Sequence, residues 1–192
     1  MLSAIDTALS PLTRALERIA DPVITTLARL LFAAVLLLYY WKSGLTKLGD
    51  GFFGFLSPST GAYAQIWPKQ LEAVSYDASQ LSIFHHLVVL AGTWTEFILP
   101  LLIVLGLLTR LAAFGMIGFI VLQSLTDIYG LGADAETIGA FFDRFPDGHI
   151  LDQRAFWIFA LLTLVLKGGG PLALDRLLFR NAPLARPAYQ PQ

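Results

Sequence analysis

The stretch from Ile83 to Leu108, IFHHLVVLAGTWTEFILPLLIVLGLL, decides the fold. As a helix rising about 1.5 Å per residue it exceeds the ~30 Å hydrocarbon core of a bilayer, yet it carries one carboxylate, Glu96, near its middle. A charge at that depth costs at least about 2.5–3.5 kcal/mol, so Glu96 must be protonated, paired or turned toward a wet cavity. At helical spacing His85, Gly92 and Glu96 share one stripe, while His86, Thr93 and Pro100 share the next. Small and polar residues therefore gather on one side, which is expected to face other helices and not lipid. Pro100 lacks the amide that would bond to the Glu96 carbonyl, so a local kink or an ordered water is expected beside the carboxylate.

The rest of the chain fits this environment. Of 192 residues, 56% are hydrophobic and 14% charged, with a formal net charge of -1, and the mean hydropathy is +0.65. One small polytopic membrane domain accounts for these values, and a near-neutral chain with scattered basic residues gives no footprint for nucleic acid. The chain has no cysteine, which excludes disulfides, thiol relays and thiolate-held metal centres from its own chemistry.

Working outward, residues 1–20 place Leu2, Ile5, Leu9, Leu12, Leu16 and Ile19 at helical spacing among polar residues, predicting an amphipathic helix on the membrane surface. Ser10-Pro11 and Asp21-Pro22 each read as a helix start, and the first span is expected from Val23 to Trp41, ending at Ser43-Gly44. Residues 49–82 form a connection rich in glycine, proline and aromatics, read either as interfacial packing or as a lid over an opening between helices. The third span is expected from Ala112 to Tyr129. The fourth runs from Phe156 to Leu166, extended by Ile150 to Ala155, and Gly168 to Gly170 read as a helix terminator. The expected organisation is an all-α, polytopic four-helix membrane bundle over residues 21–175, preceded by the amphipathic segment 1–20 and followed by a cytoplasmic tail, 176–192.

Two groups of residues are candidates for function. Arg29 in the first span and Glu96 in the second lie at depths differing by about 7 Å if the helices are antiparallel, within reach of two long side chains, so they are expected to pair. Lys42, Lys47, His85, His86, Gln123 and Asp127 are expected at the outer end of the bundle as a polar cluster, where the Gln123 amide could meet a carbonyl and Asp127 a proton. No metal site is expected: His85 and His86 point about 100° apart on a helix, and His149 lies in a loop. Gly168 to Gly170 lack the lysine of a phosphate loop.

Arg14, Arg18, Arg110, Lys167, Arg176, Arg180 and Arg186 fall on one side of such a bundle. Lys42, Lys47, Lys69, Arg144 and Arg154 fall on the other, among many acidic residues. The positive-inside rule then puts both termini in the cytoplasm of a bacterial-type plasma (inner) membrane. Arg29, SGLTK at Ser43 to Lys47, Glu96, GLLTRLAA at Gly106 to Ala113 and KGGGPLALD at Lys167 to Asp175 together resemble the DoxX family of small four-helix membrane proteins, from about Leu27 to Asp175. The resemblance implies a role beside quinone-linked oxidoreductases, such as the subunits similar to those of thiosulfate:quinone oxidoreductase, or in membrane redox-defence complexes. Many family members have no assigned activity. A quinone would be the cofactor, and a soluble redox protein, the lipid bilayer or a second copy of the chain the partners.

Three classes of function are compatible with these residues: a membrane subunit passing electrons between a partner and quinone near Glu96, a non-catalytic anchor or assembly factor for a soluble enzyme, and a small-molecule transporter. The absence of an obvious inverted repeat or of paired broken helices disfavours the last. The orientation is checked by topology reporters: fusions after Trp67 and Gly148 should report the outer side, and fusions after Leu12, Thr109 and Pro183 the cytoplasm. An external report from Pro183 overturns it.

Overall fold

The computed structural model describes residues 2–178, with side chains from Ser10 onward. A single helix rises from α1 (Leu2–Phe32) through a π-helical turn at Ala33–Leu37 into α2 (Leu38–Lys47). The outer connection folds into two short helices, α3 (Thr60–Ile66) and α4 (Pro68–Ala73), before α5 (Ile83–Leu105) descends. A tight turn leads into α6 (Thr109–Leu125), extended by a π turn at Thr126–Gly130. The acidic outer loop holds one turn of helix, α7 (Ala135–Ile138), and a π turn at His149–Gln153 feeds α8 (Arg154–Lys167), with α9 (Leu174–Leu178) closing the described chain. Four of these helical runs, Ser10–Lys47, Ile83–Leu105, Thr109–Gly130 and His149–Lys167, are long and apolar enough to cross a membrane. No strand occurs among the described residues. The all-α four-span bundle expected from the sequence is the fold.

Burial is patterned for lipid. The interior is held by Phe32, Leu36, Tyr40, Ile103, Met116, Ile120, Leu161 and Leu164, each buried from its own stripe of helix. Facing outward are large apolar side chains such as Leu30, Leu38, Leu111, Phe114, Phe156 and Phe159, which would be a liability in water and are suited to acyl chains. Because lipid is as apolar as leucine, cohesion between the spans comes from close packing. Gly44 provides one such approach: a Cβ there would lie 2.7 Å from the Phe97 ring, so α2 and α5 meet where only glycine fits.

The structure corrects several helix boundaries. Neither Pro11 nor Pro22 interrupts α1, and residues 10–24 continue the first span as one rod, with Leu12, Leu16 and Ile19 exposed along it. Both prolines are interior to α1 and each forfeits the amide bond to the carbonyl four residues back, yet the helix continues, and next to Pro22 Thr25 donates its hydroxyl to the Asp21 carbonyl at 2.7 Å. Ser43-Gly44 does not end the helix either; it runs one turn further, to Lys47. Arg180 and Arg186, and the tail beyond residue 178, lie outside the described residues.

At the base of the bundle the three distant motifs of the sequence meet. The Asp175 carboxylate accepts hydrogen bonds from the Leu108 and Thr109 amides, at 2.6 and 2.8 Å, and from the Thr109 hydroxyl at 2.7 Å, capping α6. Leu108, at φ +48°, is held in a left-handed conformation by these bonds. In return the Asp175 amide donates to the Gly106 carbonyl at 2.8 Å. Gly170 has φ +77°, and a Cβ on it would fall 2.2 Å from the Thr25 hydroxyl oxygen, so the terminal glycines are packing devices as well as a helix stop.

This knot makes a stability prediction. Asp175→Ala should cost about 1–2 kcal/mol by loss of the cap, and Gly170→Ala at least as much through strain and overlap. Thermal unfolding in detergent should show both variants lowered and Asp175→Asn intermediate; unchanged midpoints would mean the knot is not holding the base.

Candidate functional site: a polar-walled cleft between α5 and α6

The expected pair of Arg29 with Glu96 does not form. Arg29 lies at the base, where Nε donates to the Ile103 carbonyl and Nη1 to the Gly169 carbonyl, each at 3.0 Å, and Nη2 donates to the Val104 carbonyl. These are carbonyls at the C-terminal end of α5 and just past α8, the orphan acceptors and negative dipole end that favour a cation. Arg29 thus needs no carboxylate.

Glu96 pairs instead with Lys47. The Lys47 Nζ donates to both carboxylate oxygens, at 3.0 and 3.1 Å, with both side chains only 5% exposed. Ser43 adds its hydroxyl to Glu96 at 3.1 Å and accepts from Lys47 at 2.7 Å. The extra helical turn explains the arrangement: once the helix continues past Gly44, Ser43 and Lys47 stand one turn apart on the face packed against α5. Lys47 lies 18 residues beyond Arg29, about 27 Å along a helix, which is why two charges in the same span serve different ends of the bundle.

Beside this pair is a cavity of about 350 Å³ between the outer halves of α5 and α6. The two helices leave the turn at 106–108 in contact, with Leu99 only 3.2 Å from where a Cβ on Gly115 would stand, and the cavity lies further outward, at and beyond Glu96. The inner wall carries Glu96, Lys47 and Ser43 from one side, and Gln123 and Asp127 from the other. Ile66 and Gln65 of α3 lie over the outer end, with Ile66 Cδ1 3.2 Å from where a Cβ on Gly92 would stand.

The residues around the cavity are themselves held. Gln123 donates to the Tyr39 hydroxyl at 3.1 Å and accepts from Tyr40 at 3.4 Å. Asp127 forms a second ion pair, with Arg154, whose other nitrogen donates to Ser124 at 2.8 Å. Asp127 lies in one π turn and Arg154 directly succeeds another. Each such turn inserts a residue and rotates the helix beyond it, a recurrent way of aiming a side chain inward.

The expected outer polar cluster is therefore divided. Lys47, Gln123 and Asp127 line the cleft, whereas Lys42 is exposed outside it. His85 and His86 serve the docking of the outer connection: the Tyr63 hydroxyl is 2.6 Å from His86 Nδ1, and the Trp67 ring stands edge-on to His85 at 4.9 Å. Burial raises the pKa of Tyr63, so its phenol keeps its proton for this bond. On the outer loops Asp77 is held below the usual carboxylate range by the Ser79 hydroxyl and Gln80, and Asp134 by the Thr137 amide that it caps. Among the described residues no group of histidine and carboxylates is arranged to hold a metal ion.

Sequence reading did not single out Ser43, Arg154 or Asp175. Ser43 was signalled by its four-residue spacing from Lys47, and Asp175 by its place in the last motif. Arg154 carried no local signal, because its partner sits 27 residues away.

A double-mutant cycle separates the two arrangements. Lys47→Met or Glu96→Gln alone should destabilise the protein by about 3–5 kcal/mol, and the double variant by much less than the sum. Arg29→Met combined with Glu96→Gln should be additive. Coupling between positions 29 and 96 in detergent melts would contradict the observed pairing.

No curated protein sequence and no solved structure matches this chain. The DoxX family model matches residues 24–126, more than half of the 192 residues, and takes in Arg29, Lys47, Glu96 and the cleft walls of α5 and α6. With its four membrane-crossing helices and this match, the chain is a multi-pass membrane protein that belongs to the DoxX family.

Proposed function

We propose that this protein is the integral membrane subunit of a quinone-linked redox system in a bacterial-type inner membrane, with both termini cytoplasmic, and that the cleft beside Glu96 holds the quinone headgroup. The observation that carries this reading is a buried, hydrogen-bonded ion pair in the wall of a cavity that also has an apolar lining, from Ile66, Val88, Ala91, Phe119 and Leu122. At about 350 Å³ the cavity lies at the small end of ligand sites, of a size for one substituted ring. Lys47 supplies donors for a quinone oxygen, and Glu96 can take a proton from a quinol. Oxidation of a quinol to a quinone releases two electrons and two protons. In this scheme Glu96 receives the first proton, the Asp127 carboxylate on the facing wall the second, and a soluble redox partner the electrons, since the chain has no cysteine to carry them as a thiol relay.

A second reading, a non-catalytic anchor for a soluble enzyme, draws on the outer loops, where Phe52, Phe53, Phe141 and Phe142 are exposed together with Phe145. Quinone content distinguishes the two. Protein purified in mild detergent and extracted into organic solvent should yield bound quinone, and the Lys47→Met, Glu96→Gln double variant should fold but retain several-fold less. Equal retention, or none in either, leaves the anchor reading.

A further inference from the structure

Protein walls the cleft outward, toward the base and inward. Outward, α3 and the start of α4 cover it, with Ile66 over Gly92 and Pro68 against Gly130, where a Cβ would meet the proline ring at 3.1 Å. Toward the base, Leu99 fills the space against Gly115. Inward stand Lys47, Glu96 and Gln123. On α5 the buried face runs through Val89, Thr93, Glu96 and Pro100, whereas the cavity residues Ala91 and Thr95 lie round the flank that turns away from the bundle axis. On α6 the buried face runs through Met116 and Ile120, and Leu122, which also lines the cavity, is 65% exposed. The remaining side is the seam between two membrane-spanning helices, flanked by Ala91 and Leu122, and beyond it lie the acyl chains.

We infer that this seam is a lateral portal through which an amphiphile dissolved in the bilayer loads the cleft, its polar head against Lys47 and Glu96 and its apolar tail remaining between Ala91 and Leu122 in the lipid. The polarity gradient supports that orientation. The charged groups Lys47, Glu96 and Asp127 lie on the inner wall, and the flank toward lipid offers Val88, Ala91 and Leu122. A water-soluble ligand would have to cross that apolar flank or the α3 cover, whereas a tailed one leaves its apolar part where it already resides. Ala91 is small at the point where the tail must pass. The identity of the head rests on the quinone reading; the route rests on the cleft alone.

The chain has no native cysteine, so a nitroxide attached to the A91C or L122C variant reports only from the portal. In liposomes, its collisions with dissolved oxygen should exceed those with a water-soluble nickel chelate several-fold, as at the lipid-facing control L111C and opposite to the control K69C on the outer helix α4. A nickel-dominated pattern at both portal positions would mean the cleft opens to water and would overturn the inference. A benzoquinone carrying a ten-carbon tail should then lower oxygen collisions at the A91C label several-fold, and the tail-free analogue should leave them unchanged. If both quinones bind and the tailed one has no effect at the label, the tail does not use the seam and the inference falls. If neither quinone binds the unlabelled protein, the quinone reading fails, and the oxygen-to-nickel comparison alone decides the portal.

Discussion

A charge placed inside a bilayer has to find its partners within the protein, because lipid offers none. Much of this bundle can be read as the way that demand is met at two depths. At the base, Arg29 spreads its guanidinium over carbonyls of α5 and of the segment after α8. Toward the outer end, Lys47 and Glu96 neutralise each other with Ser43 between them. The two solutions differ in chemistry. The first uses only backbone oxygens, which cannot titrate, and leaves nothing to exchange. The second uses a carboxylate and an ammonium, both capable of giving or taking a proton, and it has a cavity beside it.

That division assigns different work to the two ends. The base is closed by reciprocal bonds between Asp175 and the 106–109 turn, by glycines in tight contact, and by Arg29. The outer half is completed by elements that come from loops: α3 above the cleft, and the π turns that bring Asp127 and Arg154 together. The result is a rigid lower half and an upper half with room in it, the distribution a membrane protein needs if its ligand has to come and go without the bundle falling apart.

The membrane-spanning pattern was legible because it depends on composition summed over about twenty residues, and so was the isolation of Glu96, which derives from one residue's charge. Pairing was harder to read. Whether Glu96 meets Arg29 or Lys47 turns on a single extra turn of helix past Ser43-Gly44, and glycine and serine, poor helix formers in isolation, suggested a break there. The neighbouring Phe97 overrides that propensity, because Gly44 is the residue that lets α2 lie against it. The cleft was foreshadowed as an opening between helices near Glu96, but its shape was not. Its inner wall includes Gln123 and Asp127 from α6, and no periodicity within one helix reveals which residues a second helix will contribute. The Asp127 to Arg154 pair illustrates the same limit, since π turns shift the phase on both sides of it.

Arg29 also has a history that the finished bundle conceals. Its acceptors lie 74, 75 and 140 positions further along the chain. A ribosome delivers the first span well before α5 and long before the glycines after α8, so for most of synthesis this guanidinium has no acceptor of its own fold. During that interval it must be accommodated by headgroups or by the insertion machinery, and only the last helix completes its shell. Assembly is thereby ordered from both ends inward. A charge that arrives early is among the last to be satisfied, and a chain cut short before Gly169 is marked as unfinished by an arginine still looking for oxygen.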